Sequence, residues 1–206
     1  DEEPWFLVTV NHLSQIINGP DGVYGDPRYT ALEEGWNLIS VNYLPEDYLW
    51  VNEDGPDMEK MFRQLTIGND HNPILMVKDE RGRFFAPPHD NFNNIHHWNM
   101  LEGYRVKIEE GNQVVWFGDE VPHDTDIPIE EGWNNIAFLP NYELPADGPE
   151  PYVLGPILDD VIIAKDVHGR FMYPRVGFSN MPPWRPTQGY QVKVAQDVVL
   201  NYPDPP

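Results

Sequence analysis

Cysteine is absent from the 206-residue chain, so disulfide bonds, thiol nucleophiles and thiolate metal sites are excluded. Basic residues are few: 13 Lys and Arg stand against 34 Asp and Glu, which gives a formal charge of -21. This surplus of negative charge argues against binding to nucleic acid or to anionic membrane surfaces, because both need basic side chains. We interpret the charge mainly as a solubility feature suited to a crowded or salty exterior.

Long apolar runs are absent too. None approaches the roughly 18 to 20 residues that a membrane-spanning helix needs, and no signal-like apolar segment opens the chain, so no membrane insertion is expected. Because the first residue is Asp1 rather than Met, we expect a mature secreted protein whose signal peptide has been removed. The alternative is a segment cut from a longer chain. The expected location is therefore extracellular or at the cell surface.

A tandem repeat is the main feature that is present. Three short motifs occur in the same order in both halves of the chain, at offsets of 97, 87 and 86 residues. The middle motif is Lys-Asp-x-x-Gly-Arg, starting at Lys78 and Lys165. The flanking motifs are Gly-Trp-Asn and Gly-Tyr-x-Val-Lys, whose shared residues we interpret as fold residues: Gly35, Trp36, Asn37, Gly103 and Tyr104, then Gly132, Trp133, Asn134, Gly189 and Tyr190.

The repeat predicts a mainly β protein of two similar domains, residues 1–112 and 113–206. Each is expected to be a β-sandwich or a barrel, and the sequence leaves these two closures open. The first domain carries an insertion over 45–73. Within it a short helix is predicted over 57–65, because Asp57 can cap it and four apolar side chains recur at helical spacing, at Met58, Met61, Phe62 and Leu65.

Apolar runs and turn residues predict the strands. Ile74–Val77 and Val161–Ala164 are continuous apolar runs typical of a central strand buried on both faces, and each leads into a hairpin with Gly82 or Gly169 at a positive φ. Residues 11–31 are rich in Gly, Pro and Asp and are predicted to form a loop.

The order of the three motifs resembles a β-rich repeat module that occurs in tandem near the ends of large secreted and surface proteins of Gram-negative and environmental bacteria. The resemblance covers almost the whole chain after residue 30. It implies secretion, a β-rich fold and a role at a surface or in an assembly. It brings no catalytic residues to this chain.

Residue patterns for catalysis or metal binding are weak. His89, His96 and His97 are close in sequence but match no established metal-ligand spacing, and no nucleophile motif surrounds any serine. We therefore predict no catalytic residues, no cofactor and no transition-metal site. The acidic loops at 52–57 and 119–126 lack the spacing of an EF-hand, although a structural calcium ion remains an alternative.

The tryptophans are the candidate ligand-binding residues. Trp36 and Trp133 lie on predicted strands and are expected in the core. Trp98 and Trp184 lie in loops rich in Pro and Asn, where they could stack on sugar rings or on a neighbouring subunit, or plug the end of each domain. Trp50 is a similar candidate without an equivalent in the second repeat.

The leading functional prediction is a non-enzymatic extracellular structural or adhesive protein, a subunit of a surface assembly or filament. Self-association or other surface proteins are the expected partners, through β-strand edges and terminal segments. The candidate segment for strand donation or packing is an apolar run near the start of the chain: Trp5, Phe6, Leu7, Val8, Thr9 and Val10. The alternative is a carbohydrate-binding module that uses the loop tryptophans, with glycans as partners.

Overall fold

The computed structural model describes residues 27–46, 49–50, 55–66, 71–89, 92–148 and 151–205. Within them the protein is mainly β, as predicted, and the two repeats have the same strand arrangement. The predicted strand Trp5–Val10 lies outside the described residues.

The first repeat is built on a five-stranded antiparallel sheet in the order β2-β7-β4-β5-β6. Strands β1 and β8 pair with each other beside it. The elements are β1 (Arg28–Leu32), β2 (Gly35–Ile39), β3 (Tyr43–Leu44), α1 (Met58–Phe62), a 3₁₀ turn (Arg63–Leu65), β4 (Ile74–Lys78), β5 (Phe84–Ala86), β6 (Phe92–Asn93), β7 (Tyr104–Ile108) and β8 (Asn112–Trp116).

The second repeat reproduces this arrangement, with a sheet in the order β11-β15-β12-β13-β14 and a separate pair, β10 with β16. Between the repeats, β9 (Asp119–Glu120) pairs with β3. The elements are β10 (Ile127–Ile129), β11 (Gly132–Ala137), a 3₁₀ helix (Gly155–Asp160), β12 (Val161–Lys165), β13 (Phe171–Tyr173), a 3₁₀ turn (Pro174–Val176), β14 (Phe178–Ser179), β15 (Gly189–Val194) and β16 (Val198–Leu200).

Each repeat has its own sandwich-like core. In the first, the inner face of the sheet packs against α1 and the β1–β8 pair, through residues such as Val77, Met61 and Val114. In the second, Val192 and Leu200 lie in the equivalent core with Phe138. Side chains alternate between core and outside along each strand, so the opposite face of each five-stranded sheet is turned away from the core.

The predicted helix is confirmed. Asp57 caps α1 by accepting a 2.8 Å hydrogen bond from the Lys60 backbone N–H, and the four apolar side chains at helical spacing are all buried. The second repeat has the 3₁₀ helix Gly155–Asp160 in this place, where Pro156 follows the first residue.

The predicted central position of the two apolar strands and their hairpins is also confirmed, but the expected burial on both faces is not, since Ile162 on β12 is 37% exposed. Strands β4 and β12 are the middle strands of their sheets, and Gly82 and Gly169 have φ values of 80° and 81°. In each hairpin a buried aspartate accepts hydrogen bonds from the backbone N–H and Nε of the arginine four residues later, Asp79 from Arg83 and Asp166 from Arg170.

Two expectations on the chain's organisation were wrong. Residues 28–31, predicted to be loop, belong to β1, because Thr30 and Leu32 lie in the buried layer opposite β8. Strand β8 pairs with β1, and its Val114 and Trp116 lie in the first core. The division between the repeats therefore follows Trp116, and the expected boundary after residue 112 cuts through β8.

Candidate binding surface

The Asn of each Gly-Trp-Asn motif closes the turn that starts its strand. Asn37 Oδ1 accepts from the Glu33 backbone N–H at 2.9 Å, and its Nδ2 donates to the Glu33 carbonyl at 2.8 Å. Asn134 makes the same pair of bonds to Glu130, at 3.0 and 2.7 Å. An amide side chain is needed because the position requires a donor and an acceptor at once. The motif Asn is therefore a fold residue, as the sequence predicts.

The Gly of each Gly-Tyr motif lies where the two repeats cross. A Cβ atom on Gly103 would lie 3.0 Å from the Ile136 carbonyl oxygen and 3.4 Å from the Gly189 Cα. A Cβ on Gly189 would lie 2.9 Å from the Ile39 oxygen and 3.2 Å from the Gly103 Cα. The two backbones can approach this closely only because both positions lack a side chain.

Contacts around this crossing are reciprocal. The Ser40 N–H donates to the Thr187 carbonyl at 3.0 Å, and the Ala137 N–H donates to the Leu101 carbonyl at 3.1 Å. Ala137 is the equivalent of Ser40 in the second repeat, and Thr187 is the equivalent of Leu101. Reciprocal contacts of this kind define a twofold interface. The two repeats are thus joined as the two protomers of a dimer would be, within one chain.

Polar side chains join the two sheets on the faces turned away from the cores. Arg105 Nη2 donates to Gln191 Oε1 at 2.9 Å, and Gln191 Nε2 donates to Asn135 Oδ1 at 2.8 Å. The Glu80 carboxylate accepts from the Asn135 backbone N–H at 3.0 Å, and burial raises the pKa of this carboxyl. The outer faces of the two sheets therefore meet in one continuous surface.

We call this joined face the outer surface. Five of its side chains come from the first sheet and five from equivalent positions of the second: Trp36, Lys78, Phe84, Arg105 and Lys107, then Trp133, Lys165, Phe171, Gln191 and Lys193.

Trp36 and Trp133 are exposed rings of this surface, as are Phe92 and Phe178, so the expectation that the two tryptophans lie in the core was wrong. Trp36 is 43% exposed and Trp133 is 46% exposed. The reason is strand alternation: the neighbouring Asn must point inward to close the turn, which sends the Trp side chain to the opposite face.

Lysine side chains lie beside both rings. Lys107 lies directly across from Trp36 on β7, and its Nζ is 5.8 Å from the ring centroid, while Lys78 Nζ is at 6.0 Å. In the second repeat Lys165 Nζ lies 4.4 Å from the Trp133 centroid, and Lys193 is the cross-strand neighbour of that ring. Both repeats thus present a half-exposed indole beside two lysines of the neighbouring strands, which lie on the same side of it in the sheet.

Trp98 and Trp184 lie in the core, so their assignment as ligand-binding residues was wrong. Trp98 is 1% exposed and Trp184 is fully buried. Trp184 stacks on Tyr190 with a centroid distance of 3.7 Å, and Trp98 packs on Tyr104 at 4.0 Å. Each ring is a core residue of its domain.

Trp50 is half-buried, and its Nε1 donates to the Pro45 carbonyl at 2.8 Å. The structure does not bring it to Trp36 or Trp133 through any described contact.

Sequence reasoning missed the outer surface although a signal was present, since a Lys recurs at equivalent positions of both repeats beside each Gly-Trp-Asn strand.

The described residues bring few of the side chains considered for metal binding close together. No group of three His, Asp or Glu side chains there could hold a metal ion, and no helix there is long and apolar enough to cross a membrane. In the acidic loop after β9, Asn201 Nδ2 donates to Asp126 Oδ1 at 2.6 Å. Residues 52–54 of the acidic loop at 52–57 lie outside the described residues.

Comparison with protein-family models, with curated proteins and with solved structures finds no match for this chain.

Proposed function

We propose that this chain is a non-catalytic structural or adhesive protein of the cell exterior and that it holds its partner on the outer surface. One observation carries the proposal: the two repeats form a single twofold unit that presents the same Trp and Lys arrangement twice. A duplicated, rigidly joined face suits attachment to an extended or repetitive partner.

The shared motif residues support this proposal through the roles that the fold gives them. Asn37 closes a turn, Gly103 allows the crossing and Asp79 fixes a hairpin. The exposed Trp36 and its neighbouring lysines make no comparable contribution to the core, yet the second repeat has the same residue types at the equivalent positions. The recurrence of the same ring beside the same two lysines in both repeats is what singles this position out, because isolated exposed apolar side chains are common on protein surfaces.

Assembly through sheet edges remains part of the proposal. At one edge of each sheet the outermost strand, β6 or β14, is only two residues long, whereas the strands at the opposite edges, β2 and β11, are five and six residues long and offer more backbone for pairing with another chain. Strand donation by Trp5–Val10 would add a second route. A deletion of residues 1–10 that leaves particle mass unchanged in light scattering would count against that route.

A carbohydrate-binding module is the second candidate function, and the half-exposed rings of Trp36 and Trp133 favour it. This reassigns the ligand-binding role from the loop tryptophans to the strand tryptophans. A flat indole face beside polar side chains is the arrangement that stacks on a sugar ring.

Retention on immobilised partners tests the proposed function. The full chain is passed over surfaces that carry the chain itself, a neutral glycan or a charged glycan, and the Trp36→Ala/Trp133→Ala variant is compared. We expect at least one surface to retain the protein and the double variant to lose that retention. Tyr29→Ala is the matched control, because Tyr29 is 42% exposed but lies on β1, away from the outer surface. Equal retention of both variants, or none on any surface, would overturn the proposal.

A further inference from the structure

Charge is strongly segregated in this molecule. The ten strands of the two five-stranded sheets contain no Asp or Glu, although the chain has 34 acidic residues. Four of its five lysines project from the outer surface: Lys78, Lys107, Lys165 and Lys193. A cationic patch on a protein of charge -21 concentrates an anionic ligand locally while the remaining surface repels it elsewhere.

Each cationic pair is held at an aromatic ring. The Nζ atoms of Lys78 and Lys107 lie 6.0 and 5.8 Å from the Trp36 centroid, within the range of a cation–π contact. A ligand with a flat apolar face and an adjacent anionic group would contact the indole and the ammonium groups together. Sugar rings that carry a carboxylate or a sulfate have this combination.

The two units are positioned for one extended ligand. Trp36 and Trp133 each lie on the outer surface two residues, about 7 Å, along the strand from Leu38 and Asn135, the cross-strand neighbours of the residues that join the sheets. Those joining residues, Arg105 and Gln191, are themselves hydrogen-bonded at 2.9 Å. A polymer whose anionic sugar recurs along its length can therefore occupy both units at once, and the second contact is favoured by high local concentration.

Charge also favours a polymer of anionic sugars over two other classes of ligand, nucleic acid and a second copy of the chain. Single-stranded nucleic acid could stack on the rings, but its affinity depends on neutralising many phosphates, and this face offers only two lysines at each ring. A second copy of the chain would bring another charge of -21, so its approach is opposed by net repulsion.

We propose that the outer surface binds an anionic polysaccharide at two equivalent subsites. Trp36 with Lys78 and Lys107 forms the first, and Trp133 with Lys165 and Lys193 forms the second, with the indole under a sugar ring and the ammonium groups on its carboxylate or sulfate. This inference rests on the proposed function and names the partner class of that surface.

Calorimetric titration of the full chain tests it, with polygalacturonate and dextran sulfate as anionic probes and dextran and oligo-dT as comparisons. We expect binding to the two anionic polysaccharides only, weakened as salt rises because exposed charges are screened. Trp36→Ala/Trp133→Ala and the fourfold Lys→Gln variant should each lose about tenfold or more in affinity. Tyr29→Ala and Lys60→Gln, outside the outer surface, should bind as the parent does, and circular dichroism confirms folding of all variants.

The subsite count has its own test. Trp36→Ala alone should lower affinity for long polygalacturonate by about tenfold or more, but should only halve the number of bound short oligosaccharides. Equal losses for both lengths would overturn the two-subsite arrangement.

The outcomes separate this inference from the proposed function. Binding of dextran or of a second copy of the chain through Trp36 and Trp133, without binding of the anionic polysaccharides, would overturn the inference and leave the proposed function standing. Preferential binding of oligo-dT would also overturn it, in favour of a nucleic acid partner. If no probe binds and the protein is retained on none of the immobilised partners, both the inference and the proposed function are overturned. The lysines would then only cover the exposed indole rings.

Discussion

Gly103 and Gly189 carry the contact between the repeats at the scale of single residues. We predict that Gly103→Ala and Gly189→Ala each lower the free energy of unfolding by about 1 to 3 kcal/mol, because the added methyl group would meet a carbonyl oxygen at 3.0 or 2.9 Å. Gly111→Ala is the matched control, since its nearest contact would be an ordinary 3.6 Å. Urea denaturation provides the measurement. If both interface variants were as stable as the parent protein, the two backbones could move apart at this crossing with little loss in the free energy of unfolding.

Buried tyrosines make the molecule sensitive to alkali. Burial raises the pKa of Tyr104, Tyr190 and Tyr202 well above the ordinary value. Their stabilising effect is complete below the unfolded pKa of about 10, and it is lost as the pH rises toward the folded pKa, because the unfolded chain then releases protons that the folded chain keeps.

We therefore predict that alkaline unfolding and tyrosinate absorbance rise together once the pH passes about 10. A Tyr104→Phe/Tyr190→Phe variant should show a shallower loss of stability with pH, even if it is less stable at neutral pH. If the absorbance change is complete while circular dichroism still shows the native fold, the buried phenols do not govern alkaline stability.

The tryptophans show which part of the candidate site could not be predicted from the sequence. Alternation tells that Trp36 and Asn37 face opposite ways, but not which of the two faces the core. That choice depends on the turn hydrogen bonds of Asn37 to Glu33. Likewise, Trp98 is in the core because it packs on Tyr104, which lies six residues further along, and loop composition alone does not reveal this contact.

At the scale of elements, the turn that precedes β11 depends on a single side chain. We predict that Asn134→Ala lowers the free energy of unfolding by about 1 to 3 kcal/mol, because both Glu130 backbone groups lose their partner. Asn134→Asp should also be destabilising, since a carboxylate would face the Glu130 carbonyl without a donor. The neighbouring exposed Glu131→Ala serves as control and should stay within about 0.5 kcal/mol in urea denaturation. Equal stability of Asn134→Ala and Glu131→Ala would contradict the role of this amide.

Most elements could be predicted because their signals are local. The helix after Asp57 has a cap and an apolar stripe, and β4 and β12 are continuous apolar runs. Strand β1 was missed because Arg28–Leu32 follows a segment full of Gly, Pro and Asp, and its strand conformation depends on pairing with β8, more than 80 residues away. A strand whose partner lies so far away in the sequence has no local sequence pattern that predicts the pairing.

At the scale of the whole molecule, the duplication has replaced a dimer interface by a contact within one chain. Ser40 and Ala137 each donate to the partner repeat, at 3.0 and 3.1 Å, and the two interface glycines face each other. Covalent linkage raises the effective concentration of one repeat for the other, so the contact no longer depends on protein concentration. The joined outer surface is therefore present even at low protein concentration.

The same symmetry predicts how a single repeat behaves. The second repeat alone, residues 119–206, retains Ala137, Thr187 and Gly189, and these can pair with their own copies in a second molecule. We expect this fragment to form a homodimer whose sedimentation coefficient falls to that of a monomer on dilution, because the linkage that holds the repeats together is gone. Gly189→Ala in the fragment should weaken dimerisation, since two methyl groups would then meet at the axis, whereas Gly155→Ala, whose methyl group would meet only the Tyr152 ring at 3.6 Å, should leave the dimer unchanged. A folded fragment that sediments as a monomer at every concentration would show that the reciprocal contacts are too weak to hold the repeats without the chain that joins them.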